Sequence, residues 1–208
     1  MSSNVVIDQK ESLKQGRTLE YITIGYNSLE GLVAIICGVI AGSIALVGFG
    51  FDSVIEVTSG VVLLWRLSVS QSYQNRAEAI SLRLVGVCFL ALATYISYDS
   101  VTSLIYRKSP EESIPGIILA ALSLIIMPAL ARAKRKVANN IKSQALAADA
   151  KQTELCTYLS AILLGGLLLN AIFSWWWADP VAALVMVPII FSEGLKALRG
   201  KTCCQSCH

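Results

Sequence analysis

The sequence predicts an all-α membrane protein of six transmembrane helices with both termini cytoplasmic. Three observations carry that reading. Of the 208 residues 55% are hydrophobic and 15% charged, and mean hydropathy is +0.63, too apolar for a water-soluble domain. Six apolar runs follow one another, most of them near the roughly 20 residues that cross a hydrocarbon core. Lysine and arginine gather at alternate ends of these runs, which is the positive-inside pattern.

A polar segment, 1–18, comes first; it carries Lys10, Lys14 and Arg17 and has no signal-peptide pattern. The six-helix transmembrane domain is expected over 19–198, with spans at Tyr21–Ile40, Ile44–Trp65, Leu84–Tyr106, Ile114–Leu130, Leu155–Trp175 and Val181–Leu195. Lipid gives backbone amides no partners, and the runs lack strict alternation, so each is a helix rather than a barrel strand. The basic residues Arg66, Arg76 and Arg83 follow the second span, Arg132 to Lys142 the fourth, and Lys196, Arg199 and Lys201 the sixth. The links between spans one and two, three and four, and five and six are short; the two cytoplasmic links are expected to be longer. Residues 199–208 form a Cys-rich cytoplasmic tail. Cys37, Cys88 and Cys156 fall within spans and Cys203, Cys204 and Cys207 in the tail, so no disulfide framework is expected. The net charge of +3 follows from the loop bias, which makes lipid, and not nucleic acid, the expected partner.

Ser43-Ile44-Ala45-Leu46 recurs as Ser143-Gln144-Ala145-Leu146 at the starts of the second and fifth helices. These helices cross in opposite senses, so the likeness suggests an inverted repeat of helices 1–3 and 4–6, a common transporter plan. The offset pairs Phe49 with Asp149, Asp52 with Gln152, and Glu56 with Cys156.

An acid at mid-bilayer costs about 2.5 to 3.5 kcal/mol on insertion scales, so it is kept where it meets a cavity or a partner. Asp52 and Glu56, four residues apart, share one face of the second helix, and Ser59 continues it. With no lysine or arginine expected nearby, a cation is the missing partner; paired interhelical hydrogen bonds are the structural alternative. The first helix presents Thr23, Asn27 and Glu30 on one face, with Glu30 as a further ligand, a proton-relay group or a packing contact. The fifth helix presents Asp149, Gln152, Thr153, Cys156 and Ser160, with Asp149 toward the cytoplasmic mouth. Cys156 is a thiolate ligand or a small core residue. Glu154 points away. In the tail, Cys203, Cys204, Cys207 and His208 form an accessory thiol-imidazole group suited to capturing zinc, cadmium or copper(I). Asp179-Pro180 is the signature of a helix start, with Asp179 as cap. Asp99, near the outer end of the third helix, is a structural acid, and Trp175 to Trp177 form an interfacial anchor.

Three stretches together resemble the cation diffusion facilitator family: GSIALVGFGFDSVIE, SQALAADAKQTELC and WWWADPVAAL. The resemblance covers about Tyr21 to Gly200. It implies a central metal site with two side chains from helix 2 and two from helix 5, each pair four residues apart, and Asp52 and Glu56 match the first pair. The family usually has His and Asp where Gln152 and Cys156 stand, and Asp where Phe49 stands. The large cytoplasmic dimerisation domain common in the family is not expected here, and the chain looks like a short bacterial subgroup of the cytoplasmic membrane, with a homodimer still expected.

The function expected is efflux of a divalent metal ion by alternating access, exchanged for protons, with no resident cofactor. Mixed oxygen and sulfur donors put Zn2+ first, with Co2+ and Cd2+ beside it, whereas an oxygen-only site using Glu30 admits Mn2+ or Fe2+. A non-transporting scaffold or metal sensor built on the tail is the alternative. A hydrolase is disfavoured, because no span carries a histidine and no Ser-His or metalloprotease motif is present.

Overall fold

A computed structural model describes residues 2–66, 74–108, 110–141 and 143–199. The described residues form six helices: α1 (Ser2–Ala41), α2 (Ile44–Arg66), α3 (Gln74–Tyr106), α4 (Ile114–Ile141), α5 (Gln144–Phe173) and α6 (Ala178–Leu198). Each contains a stretch long and apolar enough to cross a membrane. The distribution of side chains is that of a protein dissolved in lipid: Ile40, Tyr98, Ile105 and Ile125 are each more than 70% exposed, while Glu20, Glu30, Asp52, Glu56, Lys134, Asp149 and Asp179 are buried. The protein is an all-α integral membrane protein.

Four helices run longer than the hydropathy runs suggest. α1 runs without a break from Ser2 to Ala41, and α3 begins ten residues before Leu84. α4 extends through the basic run to Ile141 and α5 begins at Gln144, so the link between them is two residues rather than a long cytoplasmic loop. The reason is that Arg132, Arg135 and Lys136 are exposed on a helix that simply outlasts its apolar part, a state open to any strong helix former.

The two copies of the Ser-x-Ala-Leu motif do the same local work. Ser43 Oγ accepts from the Leu46 amide at 3.1 Å and Ser143 Oγ from the Leu146 amide at 3.4 Å, each capping the start of its helix. Ser113 does likewise for α4 through the Gly116 amide at 3.2 Å.

α1 packs along α2, α4 along α5, and α3 along α6; α1 also meets α4, and α2 meets α5. Helices α1, α2, α4 and α5 therefore enclose a four-helix interior, with the α3–α6 pair packed beside it against α2 and α5. Phe49, Met127, Cys156, Leu159 and Leu163 of these helices belong to one apolar core, which Met186 of α6 joins. Close crossings use glycine: a Cβ on Gly31 would lie 3.1 Å from the Gly50 carbonyl oxygen between α1 and α2, and one on Gly86 would lie 2.9 Å from the Gly194 carbonyl oxygen between α3 and α6.

At the end of the bundle where α1 turns into α2, the role of Asp179 differs from the expected one. The N-cap of α6 is Trp177, with no side-chain cap bond, and Asp179 sits inside the first turn. Its carboxylate instead reaches α2: it accepts from Ser43 Oγ at 2.5 Å, from the Ile44 amide at 2.8 Å and from the Ala45 amide at 3.5 Å. The free amides at the start of α2 attract a carboxylate wherever it comes from in the chain. Trp175 and Trp177 stack with ring centroids 4.9 Å apart, at the boundary where an anchor was expected.

Candidate functional site

Polar side chains run through the four-helix interior in two connected groups. The central group is built by α1, α2, α4 and α5. Asp52 and Glu56 project from one face of α2 and are 6% and 2% exposed. Asp52 makes no hydrogen bond or ion pair among the described residues. Glu56 accepts from Thr153 Oγ1 of α5 at 2.7 Å through Oε1, while its Oε2 is buried without a partner. From α1, Glu30 accepts from Ser53 Oγ at 3.0 Å, and its Oε1 is unpartnered. Asn27, one turn away, is fully buried with neither side-chain atom bonded. Cys156 of α5 is buried in electrostatic range of Glu56, Glu30 and Asp52, and Ser160 below it donates to Ser123 of α4 at 3.0 Å. Gln152 is half-buried with its amide nitrogen unpartnered.

The second group lies toward the α4–α5 turn. Lys134 of α4 is fully buried. Its ammonium donates to Glu20 Oε2 at 3.2 Å, to Thr153 Oγ1 at 3.3 Å and to Asp149 Oδ2, with which it forms a short ion pair. Thr153 thus joins Lys134 on one side to Glu56 on the other. This corrects the expectation that the acid pair has no basic neighbour. Hydropathy assigns Lys134 to a basic loop, yet on the helix it follows Ser123, Met127 and Ala131 at spacings of four, four and three, and so faces inward with them.

The structure therefore brings Asp52, Glu56, Glu30 and Cys156 to one interior and ties Asp149 into an ion pair. Glu20 was missed; the signal for it was the continuation of the Thr23, Asn27, Glu30 face by three residues toward the N-terminus. Glu154, expected at the periphery, pairs with Arg135 at the surface. Cys203, Cys204, Cys207 and His208 lie outside the described residues. Among the described residues no three Asp, Glu, Cys or His side chains stand close enough together to hold a metal ion between them.

Residues 21–201 match the family described as the cation efflux transmembrane domain. Among curated relatives, an uncharacterized transporter of Methanocaldococcus jannaschii, MJ0449, is 26% identical over 81% of this chain and 62% of its own length. Transmembrane protein 163 of Xenopus laevis is 25% identical over 89% of the chain and 66% of its own length. The manganese efflux system protein MneS of Bacillus subtilis is 22% identical over 86% and 64%. The chain spans about half to two thirds of the length of the relatives it matches. With the family match covering nearly all six helices, and with an acid pair four residues apart inside α2, the chain belongs to the cation efflux, or cation diffusion facilitator, family.

Proposed function

We propose that this protein exports a divalent metal cation, binding it inside the four-helix interior with Asp52 and Glu56 as principal ligands and Glu30 as a third. One observation carries the reading: buried carboxylate oxygens of Glu30 and Glu56 have no partner, and Asp52 beside them has neither hydrogen bond nor ion pair among the described residues. A buried anion without a partner is costly, and a cation is the simplest remedy.

The ion draws α2 toward α1 and α5, and binding thereby favours a conformation in which the interior is closed around it. Release on the other side leaves the carboxylates free to take up protons, which gives metal-for-proton exchange. Both termini are cytoplasmic in this reading, and the shared pairing plan of α1–α2–α3 and α4–α5–α6 supports rocking of two repeat-related halves. A homodimer in a bacterial cytoplasmic membrane is the working assembly.

The donor set also bears on which metal is carried. With Glu30 in the interior, carboxylate and amide oxygens predominate, which suits Mn2+ or Fe2+; the name of the Bacillus subtilis relative points the same way. A second reading, Zn2+ with Co2+ or Cd2+, rests on the buried Cys156, whose thiolate favours softer ions.

Flux into proteoliposomes under a pH gradient, with Mn2+, Fe2+, Co2+, Zn2+ and Cd2+ in turn, tests both. Asp52→Asn is expected to lower flux at least about tenfold; unchanged flux removes the acid pair from the mechanism. Cys156→Ser is expected to spare Mn2+ flux, and selective loss of Zn2+ and Cd2+ flux would favour the second reading.

A further inference from the structure

The group around Lys134 is unbalanced in charge. Glu20 and Asp149 contact the ammonium directly and Glu56 is joined to it by Thr153, so three carboxylates surround one ammonium. With all three ionised, they exceed the ammonium by two negative charges, the charge of one divalent cation. The hydrogen bonding is unbalanced in the same way. An ammonium has three protons, and all three are directed at Glu20, Asp149 and Thr153. The Thr153 hydroxyl has a single proton and gives it to Glu56. Glu20 Oε1, Asp149 Oδ1 and Glu56 Oε2 are consequently left buried without a donor, although Glu20 and Glu56 are at most 2% exposed and Asp149 5%.

We infer that Glu20 and Asp149 form a first cation site at the α4–α5 end of the interior, in which the Lys134 ammonium is a tethered stand-in that an arriving divalent cation displaces. The inference rests on the transport reading above and adds three residues to it, Glu20, Asp149 and Lys134. A lysine is well suited to such a role, because its charge is compact and sits on a flexible four-carbon stem, so it can leave the carboxylates without moving the helix. While it is in place, it links α1, α4 and α5 and closes this end. Once displaced, it frees Thr153, whose bond to Glu56 sets the route from the first site to the central acids.

The test uses the whole chain. In wild-type protein in detergent, modification of Lys134 by an amine-reactive acylating reagent is followed by mass spectrometry, without metal and with saturating Mn2+ or Co2+. Lys134 is expected to be protected without metal and to react at least about fivefold faster with it; equal protection in both conditions overturns the inference. In parallel, the affinity for Co2+ is measured for Lys134→Met, expected to tighten at least about tenfold because the competitor is gone. Adding Glu20→Gln should abolish that gain, and the double variant keeps the charge balance if the single one does not fold. A gain that persists in the double variant also overturns the inference. Wild-type flux measured on the same preparation separates the two readings: no flux of any ion defeats transport itself, whereas flux with Lys134 always protected defeats only the displacement.

Discussion

Asp179 shows how a single carboxylate can hold two distant parts of a membrane protein together. It accepts one hydroxyl and two amide protons from the start of α2, 134 to 136 residues away in the chain. Asp179→Ala leaves those donors buried and unpaired, and the expected cost is about 1–3 kcal/mol, read as a lowered thermal midpoint in detergent. Asp99 provides the control, because it only accepts from Tyr95 at 3.5 Å on an exposed face. Asp99→Ala is expected to stay within about 0.5 kcal/mol of wild type. The same scale separates what was legible in the sequence from what was not. Asp52 and Glu56 stood out because acids inside an apolar run are expensive, a signal that needs no knowledge of the partner. Lys134 did not, and Asp179 reads from the sequence only as a cap of its own helix, because their roles depend on partners brought close only by tertiary packing.

At the scale of the helix, backbone contact at glycine governs how closely elements approach. A Cβ at Gly86 would lie 2.8 Å from Leu198 Cγ and 2.9 Å from both the Gly194 carbonyl and the Leu198 amide, and backbone atoms cannot step aside as a side chain can. Gly86→Ala is therefore expected to destabilise the protein by about 1–3 kcal/mol. Gly25, on α1, has nothing within 4 Å of its would-be Cβ, so Gly25→Ala should be neutral or gain up to about 1 kcal/mol from helix propensity. A thermal melt of the two variants side by side checks the contrast; equal midpoints would show that the α3–α6 crossing is looser than described. Helix ends were the least legible elements. Hydropathy marks where a helix leaves the lipid, not where its hydrogen bonding stops, and α4 and α5 both continue well past that point.

For the whole molecule, six spans of sufficient length and apolarity were legible from composition alone, since the solvent imposes helices wherever the chain crosses it. Orientation rests on the basic residues at alternate ends. In a cysteine-free background, Glu112→Cys is expected to react with a membrane-impermeant maleimide added to intact cells, whereas Lys136→Cys reacts only after the membrane is opened. The reverse pattern would invert the topology and with it the direction of transport. The arrangement also has a consequence for how the protein is made. The chain is synthesised from its N-terminus, so α2 is made long before Asp179, the carboxylate that its first amides and Ser43 bond to, and Glu20 waits for Lys134 in the same way. The start of α2 and its mid-helix Glu56 are thus both completed by late arrivals, Glu56 through Thr153 and the start through Asp179. A ribosome stalled before α6 would carry five inserted helices with the Ile44 and Ala45 amides at the start of α2 still lacking their carboxylate, so insertion of the last helix completes the bonding of the acid-bearing one.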